Sequence, residues 1–309
     1  MTARLKPAPP LPDKDGVGAS HLWLPDGVWP DLLTFLVQHF PAVTRATWQA
    51  RLDKGEVRER SGERLHAGSA VRRGMCIFYY RELDAETAIP FEETVLYQDQ
   101  YLLVIDKPHF LPVAPVGRFL QETLLVRLKK KLGLPHLAPL HRLDRETAGV
   151  VMFSVDPATR GVYHALFEQR HIAKRYEAWA PALAPSLARS LPLVHRSRMD
   201  HGTPFFCMRE VAGEPNSETR IAVLEARGGA VLYDLQPLTG RQHQLRVHMA
   251  ALGSPIFNDD FYPLVRPCKG DDFSRPLQLL ARAIAFTDPL SGAERHFESR
   301  RTLDGGGAF

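Results

Sequence analysis

Residues 219–238, TRIAVLEARGGAVLYDLQPL, are two β-rich runs joined by Gly228-Gly229, and such a pair closes as an antiparallel hairpin. The same form recurs upstream in VLYQDQYLLVIDKP, residues 95–108, where a polar turn separates two strand-like runs and Asp106-Lys107-Pro108 stops the second. VVMFSV, residues 150–155, is a further apolar run of strand length, and KRYEAWA, residues 174–180, another. Helical spacing appears between them only now and then. One helix is expected over 158–170, with Asp156 as its N-cap and Pro157 opening it, and one over 241–253, closed by Gly253. Neighbouring hairpins without βαβ alternation predict an α+β fold, a mostly antiparallel mixed central sheet flanked by helices and loops.

The N-terminal part has a different pattern. DLLTFLVQHF and the stretch after Pro41 predict two helices, and GERLHAGSAVRRGMCIFYYRE a small hairpin, which together make a small α/β module over 29–84. Residues 1–28 are expected to be a flexible leader, 85–93 a linker, 94–302 the larger domain, and 303–309 a loose tail. Chain length, 309 residues, suits two domains, and 44% hydrophobic residues suffice for both cores. Cys76, Cys207 and Cys268 are far apart, which excludes a CxxC ligand pair and a disulfide framework and fits a cytoplasmic setting. No segment has the run of about 18 apolar residues that a membrane span needs, so no membrane partner is expected.

The formal charge is only +4, so where the bases fall matters more than their sum. Arg51, Arg58, Arg60 and Arg64 cluster, followed by Arg72 and Arg73. The ordinary reading is a solvated face, and the sharper one a phosphate-contacting surface for nucleic acid. Nucleotide-binding glycine loops, HExxH and EF-hand loops are absent. His243 and His248 are badly placed around a helix to share a metal, and the expectation is no metal site. HRLD superficially looks like a kinase catalytic loop, but the glycine loop and metal aspartate of that chemistry are missing.

What remains is the stretch HRLDRETAGV, residues 141–150, with one carboxylate, Asp144, among arginines. In the helix expected at 241–253, Arg241 and Arg246 sit at the positive end of the dipole, where a cation is mildly disfavoured. An anion is therefore expected there, either an RNA phosphate or a carboxylate such as Asp144. Arg246 follows Leu245 on the apolar edge that continues through Met249 and Leu252, so it is placed near the buried side. Tyr176 in KRYEAW reads either as core or as a flat face for a nucleobase.

Four segments together resemble the RluA-type RNA pseudouridine synthases: VLYQDQYLLVIDKPHFLPVAP, HRLDRETAGVVMFS, KRYEAW and PLTGRQHQLRVHMAALGSPIFNDDFYP. The resemblance runs from Glu92 to about Phe297. WQARLDKGEV and GSAVRRGMCIFYY look like a diverged α-L RNA-binding module of ribosomal small-subunit protein type. The resemblance implies a cofactor-free isomerisation of uridine to pseudouridine in RNA, ribosomal more than transfer RNA, by a monomer. It places the essential aspartate at Asp144, the stacking tyrosine at Tyr176, the salt-bridging arginine at Arg246, and the arginine that enters the RNA at Arg142. Arg241, His243, Lys174, Arg72 and Arg73 are counted as RNA-facing. The chain departs from the family pattern at Ala148, where serine is usual, at Asn258, where glycine is usual, and at Leu280, where histidine is usual. Two rivals stay open: a non-catalytic RNA-binding protein that keeps the fold, and a nucleoside glycosidase that would release uracil.

Overall fold

The structure is a computed structural model that describes residues 10–83, 85–266 and 270–305. Cys268, the first nine residues of the expected leader and the last four of the expected tail lie outside the described residues. The chain divides into two compact units, one of Met1–Glu86 with Gly117–Gln121, the other of Thr87–Val116 with Glu122–Phe309.

The first unit holds β1 (Ser20–Trp23), α1 (Leu32–His39), α2 (Arg45–Asp53), β2 (Val57–Glu59) and β3 (Cys76–Tyr79), with the strands ordered β1-β3-β2. Asp31 caps α1 by accepting the Thr34 N–H at 2.7 Å, and the apolar faces of both helices close over Val57 and Ile77. The expected leader is corrected here: β1 pairs antiparallel with β3, and Leu24 belongs to the same core. SHLW is too short and polar to announce a strand by itself; its partner CIFY, more than fifty residues on, supplies the reason it forms. Arg51 is also no surface charge, since it is buried over the Trp48 ring and paired with Glu82.

The second unit carries β4 (Thr94–Gln98), β5 (Leu102–Lys107), α3 (Leu124–Leu132), β6 (Ala138–Pro139), β7 (Ala148–Ser154), α4 (Arg160–Glu168), β8 (Ala173–Pro181), α5 (Pro185–Ala188), β9 (Leu193–His201), β10 (Met208–Val211), β11 (Ser217–Arg227), β12 (Ala230–Pro237), α6 (Gln244–Ala251), β13 (Leu279–Thr287) and β14 (Glu294–Glu298). Its eleven-stranded sheet runs β10-β9-β11-β12-β8-β13-β7-β5-β4, with β14 on β13 and β6 on β7. Among the described residues only β7 and β13 pair in parallel, so the sheet is mixed and mostly antiparallel, an α+β arrangement. One core cluster gathers Leu245, Met249 and Leu252 of the α6 region against Ile221, Tyr233 and Leu235. Another packs Tyr163 and Leu166 of α4 on Val104, Val150 and Met152.

Two boundaries differ from expectation. The stretch read as a linker is pinned down: Ile89 is buried, and Arg127 of α3 donates to the Ile89 and Phe91 carbonyls at 2.7 and 2.8 Å. Helix α4 begins at Arg160, because Asp156 spends its carboxylate on the Ala158 N–H and forms a turn ahead of the helix. No helix among the described residues is long and apolar enough to cross a membrane.

Candidate active site

Asp144 sits in the loop between β6 and β7, and buried groups hold that loop on several sides. At its start, His141 accepts the Met152 N–H of β7 at 3.1 Å and stacks on Phe167 at 4.8 Å. Burial, with help from Lys174, pushes His141 down to about 3, so the ring is neutral and free to accept. Beneath the loop, the fully buried Lys107 donates to the carbonyls of Pro108, Leu111 and Arg145 at 2.9, 2.8 and 3.2 Å. Desolvation brings Lys107 down to about 7, against the opposing pull of Glu146 and Asp144. His109, lowered to about 4 mainly by burial, donates through Nδ1 to the Glu146 carbonyl at 2.6 Å. The backbone on either side of Asp144 is therefore set by groups that cannot easily move. Where the loop enters β7, Gly149 has φ +113 and faces Ala281 so closely that a Cβ would lie 2.2 Å from its carbonyl oxygen, so no side chain fits.

Arg246 comes to Asp144 from α6. Its Nη1 donates to Asp144 Oδ2 at 3.0 Å, while Nε and Nη2 make a two-pronged contact with Asp259, each at 2.7 Å. The guanidinium is 3% exposed and Asp259 1%, whereas Asp144 keeps 29% of its side chain open. Phe261 and Tyr262 cover the guanidinium at 4.9 and 5.3 Å. Asp259 thus holds Arg246 from behind, and Arg246 holds Asp144 with its front edge. Burial alone would raise the Asp144 carboxyl, but His243, Arg246 and Lys107 outweigh it, and the group lies below the usual carboxylate value. Burial opposes the charge on Arg246 too, yet Asp259 and Asp144 push its value up.

His243 stands just before α6 in a left-handed conformation, φ 55, a strained setting for a residue with a side chain. Tyr262 fixes its ring: the phenol accepts the Met208 N–H and donates to His243 Nδ1, both at 2.8 Å. The proton of the neutral imidazole then lies on Nε2, which faces Asp144 Oδ1 at 3.8 Å. His248 looks elsewhere, toward Ser197, Ser217 and Thr219 at 3.1, 2.9 and 3.0 Å. It approaches His195 and Glu210, a group compact enough to hold a cation, though these hydroxyls already satisfy both His248 nitrogens.

His141, His243 and Asp144 line a cavity of about 790 Å³, with Tyr176 on its wall and Arg142, Arg145, Arg170, Lys174 and Arg241 around them. Five cations against one carboxylate give the cavity a positive lining, which attracts anions. A smaller recess of about 100 Å³ lies among Asp144, Tyr176, Thr147, Leu279 and Arg246, small enough to admit one base at a time. Tyr176, on β8, packs partly on the core beside it. Burial and then Asp144 push its hydroxyl well above the usual value, so it is a phenol at neutral pH and offers a ring face and a proton.

A profile of the family described as RNA pseudouridylate synthase matches residues 101–251. The chain is 36% identical over 171 residues to Pseudouridylate synthase RPUSD2 of Mus musculus, covering 54% of this chain and 30% of that protein. It thus spans less than a third of the length of that relative. To the Dual-specificity RNA pseudouridine synthase RluA of Pasteurella multocida it is 32% identical over 214 residues, covering 65% of this chain and 90% of the relative. The chain belongs to the RluA-type RNA pseudouridine synthase family. Human RNA Pseudouridylate Synthase Domain Containing 4 superposes with a TM-score of 0.53 at 26% identity, over 68% of this chain and 88% of that one.

Within this pseudouridine synthase fold the structure brings together Asp144, Tyr176, Arg246, Arg142, Arg241, His243 and Lys174 around one cavity and its recess. Arg241 differs from expectation in one respect: α6 starts only at Gln244, so Arg241 precedes the helix and donates to the Asn216 carbonyl at 3.1 Å. Arg72 and Arg73 are not among the lining residues; they lie in the first unit, paired with Glu59 and Asp26. Sequence reasoning passed over Asp259, Lys107, His109 and Arg170. Asp259 had a signal, a carboxylate thirteen residues after a buried arginine, but Lys107 read only as the end of a strand. Arg170 lines the cavity at φ 60 and had none.

The departures from the family pattern find local explanations. Asn258 adopts φ 62, a conformation that asparagine tolerates better than most residues, and its amide donates to the Pro276 carbonyl at 3.0 Å. Ala148 and Leu280 are partners in the parallel β7–β13 register and both are fully buried. An apolar pair replaces the usual serine and histidine together, so neither is left as a lone polar group in the sheet.

Proposed function

We propose that the protein isomerises specific uridines of structured RNA to pseudouridine, with Asp144 as the catalytic carboxylate. The observation that carries this is the chain Asp259–Arg246–Asp144, a buried ion pair that presents one ionised, half-open carboxylate to a base-sized recess walled by Tyr176. The uridine must leave its stack to reach the recess, at a cost of a few kcal/mol that is smallest in a loop. Arg142, exposed at the cavity, occupies the space the base vacates.

Asp144 then serves one of two routes. As in a retaining glycosidase it attacks the anomeric carbon, the bond to uracil nitrogen breaks, and a ribosyl ester holds the sugar while the base turns. In the other it assists departure of the base as a glycal forms. Both end with the uracil carbon-5 bonded to ribose, its proton lost and one gained by the nitrogen that left, so substrate and product are isomers and neither redox nor energy input is needed. Tyr176, as a phenol, stacks on the uracil and orients it; taking the carbon-5 proton requires its own proton to leave first.

Large-subunit ribosomal RNA is the proposed substrate class and transfer RNA the second. Support for ribosomal RNA is the α-L-like pattern of the first unit, with Arg72 and Arg73 at 67% and 81% exposure as phosphate contacts. Chemical mapping of pseudouridine in total RNA, from cells with the gene, without it, and with Asp144→Asn, tests the proposal. Signals present only with the wild type are expected, and their positions name the RNA. Identical maps from all three would leave a non-catalytic RNA-binding protein, and free uracil in place of pseudouridine a glycosidase.

A further inference from the structure

The loop between β9 and β10 carries an aromatic ring that the folded chain does not use. Phe205 is 85% exposed, the one exposed phenylalanine among the described residues. Its backbone is nonetheless well held. Gly202 N–H donates to the Cys207 carbonyl and Cys207 N–H to that of Pro204, both at 2.8 Å, and Cys207 is buried. The side chain of Gln242, a cavity-lining residue, donates to the Phe206 carbonyl at 3.2 Å and ties the loop to the cavity rim.

The rings continue inward. Phe205 meets Phe206 edge-on at 5.5 Å, Phe206 meets Phe261 at 5.1 Å, and Phe261 lies 5.8 Å from the His243 ring and 4.9 Å from the Arg246 guanidinium. A row of aromatic side chains therefore runs from solvent to the arginine that holds Asp144. Its outer member is a flat apolar face beside a basic cavity, braced from behind and open in front.

We infer that Phe205 is a stacking platform for an unpaired nucleobase adjacent in the strand to the uridine that enters the recess. The inference rests on the reading of the cavity as an RNA site. It follows from continuity: an extruded nucleotide whose phosphates lie along Arg241 and its neighbours leaves an adjoining base near the rim, where a held aromatic face meets any base through its π-surface. Such a platform selects for an unpaired neighbour and tolerates its identity. The target is thereby restricted to loops and bulges, without readout of a sequence.

The test uses the full chain and a hairpin RNA with one uridine in its loop, together with the same RNA made abasic on either side of that uridine. Phe205→Ala and Phe205→Leu are expected to weaken binding of the intact hairpin by about ten-fold, and Phe205→Trp to retain it. Removing the base on one side should weaken the wild type by a similar factor and the Ala variant hardly at all. If Phe205→Ala binds like wild type, or loses as much on both abasic RNAs as on the intact one, the platform is refuted. It is refuted too if the Ala variant converts a dimer to a monomer in sedimentation while RNA affinity stays unchanged, which would place the ring in an interface between copies. A wild type that binds none of these RNAs and forms no pseudouridine in total RNA overturns the underlying reading, and the inference with it; a wild type that forms pseudouridine while Phe205→Ala binds the hairpin as tightly overturns the inference alone.

Discussion

Arg246 at the start of α6 and Arg73 in the loop before β3 carry the same side chain into opposite surroundings. Arg246 is 3% exposed and shared between two carboxylates, while Arg73 is 81% exposed and faces Asp26, itself 65% exposed. In the first setting water is excluded, each charge depends on the others, and the arrangement fixes the charge and position of Asp144. In the second, solvent screens the pair, which contributes little to stability and can be exchanged for a phosphate at little cost. A guanidinium is thus a positioning group where it is buried and a replaceable contact where it is open.

The largest effect tests the end of the buried chain. Asp144→Asn should lower the rate of pseudouridine formation on a purified RNA by roughly 10⁴-fold or more while binding persists, because the amide keeps the shape and loses the charge that both routes need. Next comes the middle of the chain. Arg246→Met should cost about 3–5 kcal/mol in urea unfolding, since Asp259 is left buried without its counter-charge. Adding Asp259→Leu should recover much of that stability and none of the activity, which would separate the holding role from the catalytic one. Full recovery of activity would end the comparison drawn above.

The same substitution has a pH signature. In the wild type the Asp144 carboxyl lies below its unfolded value, so its contribution to stability is complete above the ordinary carboxylate range and is lost as pH falls through the native value. Without Arg246 a major opposing cation is gone, burial gains weight, and the acid limb of the rate profile should move toward neutrality. Rates measured between about pH 5 and about pH 8 would show it, and an unmoved limb would mean that Arg246 does not set the Asp144 charge. A smaller effect is expected at Asn258: Asn258→Gly should be tolerated, whereas Asn258→Val should cost about 1–2 kcal/mol because a β-branched residue resists φ 62. The smallest effect on stability belongs to the open arginines. Arg72→Gln with Arg73→Gln should change it by less than about 0.5 kcal/mol yet lower the slope of log affinity against log salt by roughly 1–2. An unchanged slope removes both from the RNA surface.

Local pattern determined much of this protein. The Gly228-Gly229 hairpin, the strands around Asp106, the helices over 32–39 and 45–53, and the α+β class all follow from periods of two and 3.6 residues and from turn chemistry, which act within a few residues. The motif residues Asp144, Tyr176 and Arg246 were legible as a set through resemblance, and the uneasy place of Arg246 near a helix N-terminus hinted at an anion. Only tertiary structure decided that the anion is two carboxylates, that Lys107 and His109 hold the Asp144 loop, that β1 belongs to a sheet, and that Ala148 and Leu280 are register partners in the buried sheet. Each of these depends on groups brought together from distant parts of the chain, where burial removes water and makes a partner obligatory. Sequence spacing carries no record of that proximity, and so the partners of a charge appear only once the fold has excluded solvent from around it.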